Sequence, residues 1–387
     1  MISVGIDISS KNIAIVEVIK TRKGIAIKNT VDFEIPPESI IKGELQDSVV
    51  LGKRLKETLR RSKISSREVF VGISNLKTIV KEIELPLVDE SEISNSLKYQ
   101  INDFIPIPKN NILYDFYVME KQKSSSRIML VGAVKSMIMN VIEAIKDAGL
   151  IAQAIDLNCF SLFRTLDHIY NFSKNNKSLC AVNLGQDISI IEIIENDTLK
   201  FPRFLSDSIS TFSDKLNRIT DNEDDISNKI INDFDFSKLL KSPAGVKKIK
   251  DSGKSDLKDN NSEVIMVAKD NKSTSNKKTE KIIDDENIIK TVSDTADSLV
   301  DEIKMSMEHY IQENPKAVIE KIVLTGRNLL NFEKYIKQET NYKVEKLDCS
   351  GSFNLDSLKK KPAYNSRDFS EILNPLALGM ALRGIKE

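Results

Sequence analysis

Three short segments place small residues beside groups that can hold a phosphate or a cation. The first is GIDISSKN, with Gly5, Asp7, Ser9, Ser10 and Lys11 as candidates. The second is VNLGQDIS, with Asn183, Gly185, Gln186 and Ser189, and the third is Leu324-Thr325-Gly326. In a strand, tight turn, strand arrangement, small residues let backbone N–H groups approach phosphate oxygens. Hydroxyls and a lysine add polar contacts, and an aspartate can hold Mg²⁺ through water. Each segment alone is a common kind of hairpin. Three in this order point to a nucleotide pocket assembled from distant parts of the chain.

Other chemistries have little material. The chain has only two histidines, His168 and His309, which disfavours histidine metal sites and catalytic triads. Cys159, Cys180 and Cys349 stand far apart with no CxxC pair, the pattern of buried thiols in a reducing compartment. Lys plus Arg and Asp plus Glu balance at 57 each, which argues against a nucleic-acid partner.

The elements that must position these segments can be read from periodicity. Ser3–Ile8, Ile13–Ile19 and Ile25–Asn29 predict a three-stranded antiparallel start. A helix over Val49–Arg61 and a buried strand at Val69–Ser74 follow. Val80–Leu85, a helix over Glu90–Asn102, paired strands Leu113–Glu120 and Arg127–Ala133, and a helix over Ser136–Ala148 read as a small α+β insert. The Phe104-Ile105-Pro106-Ile107-Pro108 piece after its first helix must be extended, because a residue before proline avoids the helical region. It could line a peptide cleft through Phe104, Ile105, Pro106 and Pro108, or act as a clasp closing the insert. Ala154–Asp156 predicts a strand and Ile155–Tyr170 a helix. Leu179–Leu184, Ile188–Ile194 and Leu199–Phe204 then repeat the opening hairpin pattern, a sign of internal duplication. A helix over Ile288–Tyr310, a strand Lys321–Thr325, a helix Leu329–Gln338 and an apolar helix Pro375–Arg383 complete the chain.

At 387 residues, two lobes around a cleft are expected. Residues 242–281 are rich in Lys, Asp, Ser and Asn, which predicts a flexible insertion or a docking tail for an acidic surface. Val264–Ala268 within it could form a short strand. The opening MISVGIDIS lacks a basic, then apolar, leader pattern, and no apolar run reaches membrane-spanning length. A cytosolic location is expected unless something else brings the chain to a membrane.

These segments resemble the actin, heat-shock-chaperone and sugar-kinase superfamily, and within it the PilM family of type IV pilus assembly, related to FtsA. Besides the hairpins, the resemblance is carried by Leu85-Pro86 with the helix after it and by Asp103–Pro108. It continues through Ala148-Gly149-Leu150 with Asp156, Phe201-x-Arg203, Glu302-Ile303-x-x-Ser306-x-x-x-Tyr310 and Ala377-Leu378-Gly379-x-Ala381-Leu382-Arg383. It implies an α/β protein of actin-like ATPase fold, two lobes with duplicated β-sheet cores plus a small α+β insert of the 1C type. Lobe I would span 1–76, completed by 151–177 and 363–387; the insert would span 77–150 and lobe II 178–362. It further implies ATP and Mg²⁺ in the inter-lobe cleft, with Asp7 holding the metal through water. The implied role is an adaptor that captures the cytoplasmic N-terminal peptide of a PilN-like inner-membrane protein beside the insert and meets other platform or motor proteins. An ATPase or phosphotransferase of the superfamily is the alternative.

The chain departs from the family pattern around the implied pocket. Ser9 stands where the first turn has Gly, Asn183 where the second hairpin has Asp, and Ser208–Ser210 where a Gly-Gly turn is expected. The ribose helix offers Asp225 and Lys229 in place of Glu-x-x-Lys, and Arg327 replaces a second Gly after Gly326. These changes predict a weakened pocket with weak hydrolysis at most.

Overall fold

The computed structural model describes residues 1–386 except 10, 37, 65, 87–88, 176–177, 196, 221–223, 241–284, 327–328 and 360–371. The expected 242–281 insertion, with Val264–Ala268, therefore lies wholly outside the described residues.

Two five-stranded sheets share one topology. The first has the order β10-β6-β1-β2-β3, from Ile2–Ile8 (β1), Asn12–Thr21 (β2), Gly24–Glu34 (β3), Glu68–Ile73 (β6) and Ile151–Leu157 (β10). The second has β13-β12-β11-β14-β15, from Leu179–Leu184 (β11), Ser189–Glu195 (β12), Thr198–Leu205 (β13), Lys321–Gly326 (β14) and Lys343–Lys346 (β15). In each, three antiparallel strands run in sequence order and two more add in parallel beside the first. The duplication legible in the opening hairpins thus extends to whole sheets. β1 and β11 are central and buried on both faces, which is why they read as near-continuous apolar runs.

The helices follow their local signals. Ser48–Ser62 (α1) begins at Asp47, whose carboxylate accepts from Val50 N at 2.9 Å, and ends in Arg60 and Arg61. The helix expected from Ile155 starts three residues later, as Asn158–Tyr170 (α4), because β10 runs on to Leu157 in parallel with β6. Ile209–Asn217 (α6) and β15 are elements the periodicity missed.

A three-stranded antiparallel sheet, β7-β9-β8, stands apart. It comprises Ile79–Leu85 (β7), Ile112–Lys121 (β8) and Ser126–Val134 (β9). Glu90–Phe104 (α2) covers one face with Ile93, Leu97 and Ile101. Ile105 is fully buried in the same cluster, while Pro106 and Pro108 are exposed. Lys135–Asp147 (α3) leaves this sheet and packs against α1 of the first lobe through Met137, Val141, Ala144 and Ile145.

The C-terminal helix, Pro375–Lys386, returns across the chain to pack on β1, β2, β6 and α4. A Cβ on Gly5 would fall far inside contact distance of Ala377 O and Ala381 N, so this strand and helix meet backbone to backbone. α4 faces both lobes. Its Cys159, Leu162 and Leu166 share one apolar cluster with Val4 and Ile6 of the first sheet and with Leu179, Ala181 and Ile190 of the second. Among the described residues, no helix is long and apolar enough to cross a membrane.

Candidate functional site

A cavity of about 600 Å³ opens between the two sheets at the ends of β1, β11 and β14. Asp7, Ser9, Asn183, Gly185, Gln186 and Gly326 line it, so the three segments singled out above converge as expected. Asp7 and Asn183 hold corresponding places, each next to last in the first strand of its sheet.

Asp7 is buried and held on both oxygens. Asn158 Nδ2 at the start of α4 donates to Oδ1 at 2.8 Å, and Asn374 Nδ2 donates to Oδ2 at 3.1 Å. Burial pushes its carboxyl up to about 6 against these two amide hydrogen bonds, with the charge of Asp32 adding to the rise. Asn374 also caps the C-terminal helix, its Oδ1 accepting from Leu376 N and Ala377 N at 2.9 Å each. The Asn-Pro pair at that helix start is a cap signal in the sequence, but nothing local ties it to Asp7. Asn158, Asn374, Asp32, Asp187, Lys346 and Asp348 are among the lining residues that sequence reasoning missed.

Ser9 of the first turn and the first amides of α6 are used within the chain. Ser9 N donates to Asn12 O at 3.0 Å and Ser9 Oγ to the same oxygen at 2.8 Å, which closes the first turn. At the second turn, Ile209 N donates to Gly185 O at 3.1 Å and Ser210 N to Gln186 O at 2.8 Å. The first amides of α6 therefore point at the hairpin tip. Gln186 Nε2 donates to Ser210 Oγ at 3.2 Å, and Ser210 Oγ donates to Asp187 Oδ1 at 2.6 Å. Lys11 reaches across the cleft, where its Nζ donates to Asn228 Oδ1 at 2.9 Å on Asp224–Asp233 (α7).

Other expected residues stand elsewhere. Gly5 serves the packing of the C-terminal helix and is not at the cavity, a correction to its assignment as a nucleotide contact. Ser189 is fully buried in β12, its hydroxyl without a hydrogen-bond partner, and also lies outside the lining. Lys229 is exposed on α7, away from the lining residues. Ser10 and Arg327 lie outside the described residues. Gly326 has φ +92°, and a side chain there would run into the backbone of Leu184, so only glycine lets β14 approach β11 this closely.

Among the described lining residues, Asp7, Asp32, Asp187 and Asp348 are acidic and Lys346 is basic, with its Nζ 3.2 Å from Glu333. Among the described residues, no group of three or more His, Cys, Asp or Glu side chains is arranged to hold a metal ion. An amide at Asn183, a doubly bonded Asp7, and Ser9 and α6 amides already bonded within the chain do not fit a hydrolytic Mg²⁺·triphosphate centre, which needs cations and free donors around the transferred group.

Comparison with known proteins agrees with this architecture. The solved PilM-PilN type IV pilus biogenesis complex matches with a TM-score of 0.77 and 17% identity, over 100% of this chain and 99% of the other. The ethanolamine utilization protein EutJ from Carboxydothermus hydrogenoformans matches at TM-score 0.51 and 10% identity, over 99% of this chain and 89% of that one. At these identities the likeness establishes the fold, which is the actin-like ATPase fold. A family model for type IV pilus assembly protein PilM matches residues 5–219, from the first phosphate hairpin through the insert to α6. The chain belongs to the PilM family of type IV pilus assembly proteins.

Proposed function

We propose that this protein is an adaptor of type IV pilus assembly that captures the short cytoplasmic peptide of a PilN-like inner-membrane protein and so joins a membrane platform to cytoplasmic components. The family match across 5–219, which includes the whole insert, is the observation that carries this reading. The fold shared with a PilM–PilN complex supports it.

The insert and its root offer a surface of suitable chemistry. α1 and α3 present Val49, Val50, Met139 and Ile142 to solvent, and Ser48 Oγ donates to Glu143 Oε2 at 3.4 Å between the two helices. Exposed apolar side chains gathered at the junction of two elements suit a short apolar peptide. Of the residues expected to contact that peptide, Ile105 is occupied in the insert's own core, which favours the clasp over the cleft for that side chain. Phe104 is partly buried, and Pro106 and Pro108 are exposed beside it.

Fluorescence anisotropy with the labelled N-terminal cytoplasmic peptide of a PilN-like protein tests the proposal. Saturable binding is expected, weakened about tenfold or more by the paired substitution Met139→Glu and Ile142→Glu, since each buried apolar contact contributes on the order of 1–2 kcal/mol. A peptide that shows no saturable binding to the folded wild-type chain would remove the adaptor reading.

A further inference from the structure

Ser9 of the first turn and the first amides of α6 are hydrogen-bonded within the chain, and we infer that the two lobes are held across the cleft by side chains in place of a bound Mg²⁺·nucleotide, with Lys11 and Asn228 as the bridge.

Three independent observations carry this. The first concerns donors. In the first turn the Ser9 amide and hydroxyl both go to Asn12 O, and Asn12 N returns to Ser9 Oγ at 3.3 Å. A phosphate oxygen arriving there would have to break hydrogen bonds already made, with no net gain in their number. At the second turn, the start of α6 would ordinarily be an anion site, since its first N–H groups have no intrahelical partner. Here Gly185 O and Gln186 O take those of Ile209 and Ser210.

The second is charge. Four carboxylates among the described lining residues face one lysine that already has an acidic neighbour. A polyphosphate would add negative charge to a partly buried cleft whose described lining already carries more carboxylates than cations. With an amide at Asn183, the carboxylate of the second hairpin's turn is Asp187, which already accepts from Ser210 Oγ.

The third is the bridge. Lys11 leaves the tip of the first hairpin and bonds Asn228 on α7 of the second lobe. The same Oδ1 accepts from Ser213 Oγ of α6 at 3.0 Å, so the lysine is tied to two helices of the opposite lobe. The ammonium thereby joins the first hairpin to the second lobe.

The test combines calorimetric titration of the full chain with Mg²⁺·ATP and native-state hydrogen exchange on wild type, Lys11→Ala and Asn228→Ala. No saturable heat is expected at ATP concentrations up to about 1 mM, the weak end of specific binding. Each variant is expected to raise exchange in the start of β2 and in α7 by about tenfold, the size of one lost hydrogen bond to a charged group. The double variant should raise exchange by less than the product of the two single effects, because both remove the same contact. Saturable ATP binding in this range, or unchanged exchange in both single variants, would overturn the inference. The peptide assay above reads a different surface, so failure of one result leaves the other standing.

Discussion

Asp7 shows what residue types reveal and what they hide. Its place at the end of an apolar strand marks it as a group with chemistry, and it does line the cleft. Its partners Asn158 and Asn374 lie 151 and 367 positions away, beyond any local pattern. The consequence of its burial, which these two contacts oppose, is measurable. The carboxyl titrates at about 6 in the fold against an ordinary 3.8, so the folded state holds the proton longer than the unfolded chain does. A folded pKa above the unfolded one contributes stability that is present below pH 3.8 and is lost as the pH climbs through 6. In Asp7→Asn that loss is absent. The stability of the variant minus that of wild type should therefore rise between pH 4 and 6, by at most about 1.4 kcal/mol per pH unit, and level off above. Urea unfolding at four pH values checks this, and a flat difference would show that Asp7 ionises normally. Glu192 is a second residue of this kind. Fully buried in β12 with neither carboxyl oxygen hydrogen-bonded, it is pushed well above the usual carboxylate range by burial. Its burial is not legible in SIIEIIE, since a carboxylate is the kind of side chain most often left in water.

At the scale of elements, several motifs that signalled the family prove to be clamps. Arg203 of the Phe-x-Arg strand meets Glu302 at 2.8 Å and donates to Ser306 Oγ at 2.8 Å, which fixes β13 to Asp285–Glu313 (α8). Asp156 at the end of β10 receives Arg164 of α4 and, at 3.0 Å, Arg383 of the C-terminal helix. These residues were legible as a pattern while their role was not, because an ion pair between distant elements leaves no periodicity. The glycine in Ala377-Leu378-Gly379 is of the same kind. A Cβ there would collide with the backbone carbonyl of Ser161 in α4, whereas one on Gly351 would meet nothing within 4 Å. Gly379→Ala should therefore destabilise the chain by about 2–3 kcal/mol through overpacking of two backbones. Gly351→Ala, free of contacts, should stay within about 0.5 kcal/mol of wild type. Thermal unfolding of the two variants side by side distinguishes them, and equal melting temperatures would refute the close helix contact.

For the whole molecule, the two-lobed plan was readable because its central strands are buried on both faces and its opening hairpin recurs. The extent of the duplication was not readable. The parallel strands β6, β10, β14 and β15 pair across long stretches of chain, and the Lys-Val-Glu-Lys of β15 is a short, polar edge with no apolar signature. Nor does periodicity show that α4 serves both sheets, since an amphipathic helix looks the same whichever surface it covers. Yet this helix decides how the molecule behaves as a unit. Leu162 is fully buried in the cluster that joins β1 to β11, and at the far end of the helix Tyr170 donates to Glu345 of β15 at 2.6 Å. Two lobes that share a core through one helix should unfold together. Leu162→Ala should then cost about 2–5 kcal/mol, the range for a buried leucine that leaves a cavity. It should also lower hydrogen-exchange protection in β1 and β11 to a similar degree. Protection lost in β1 alone would mean that α4 belongs to the first lobe and that the second folds as an independent unit.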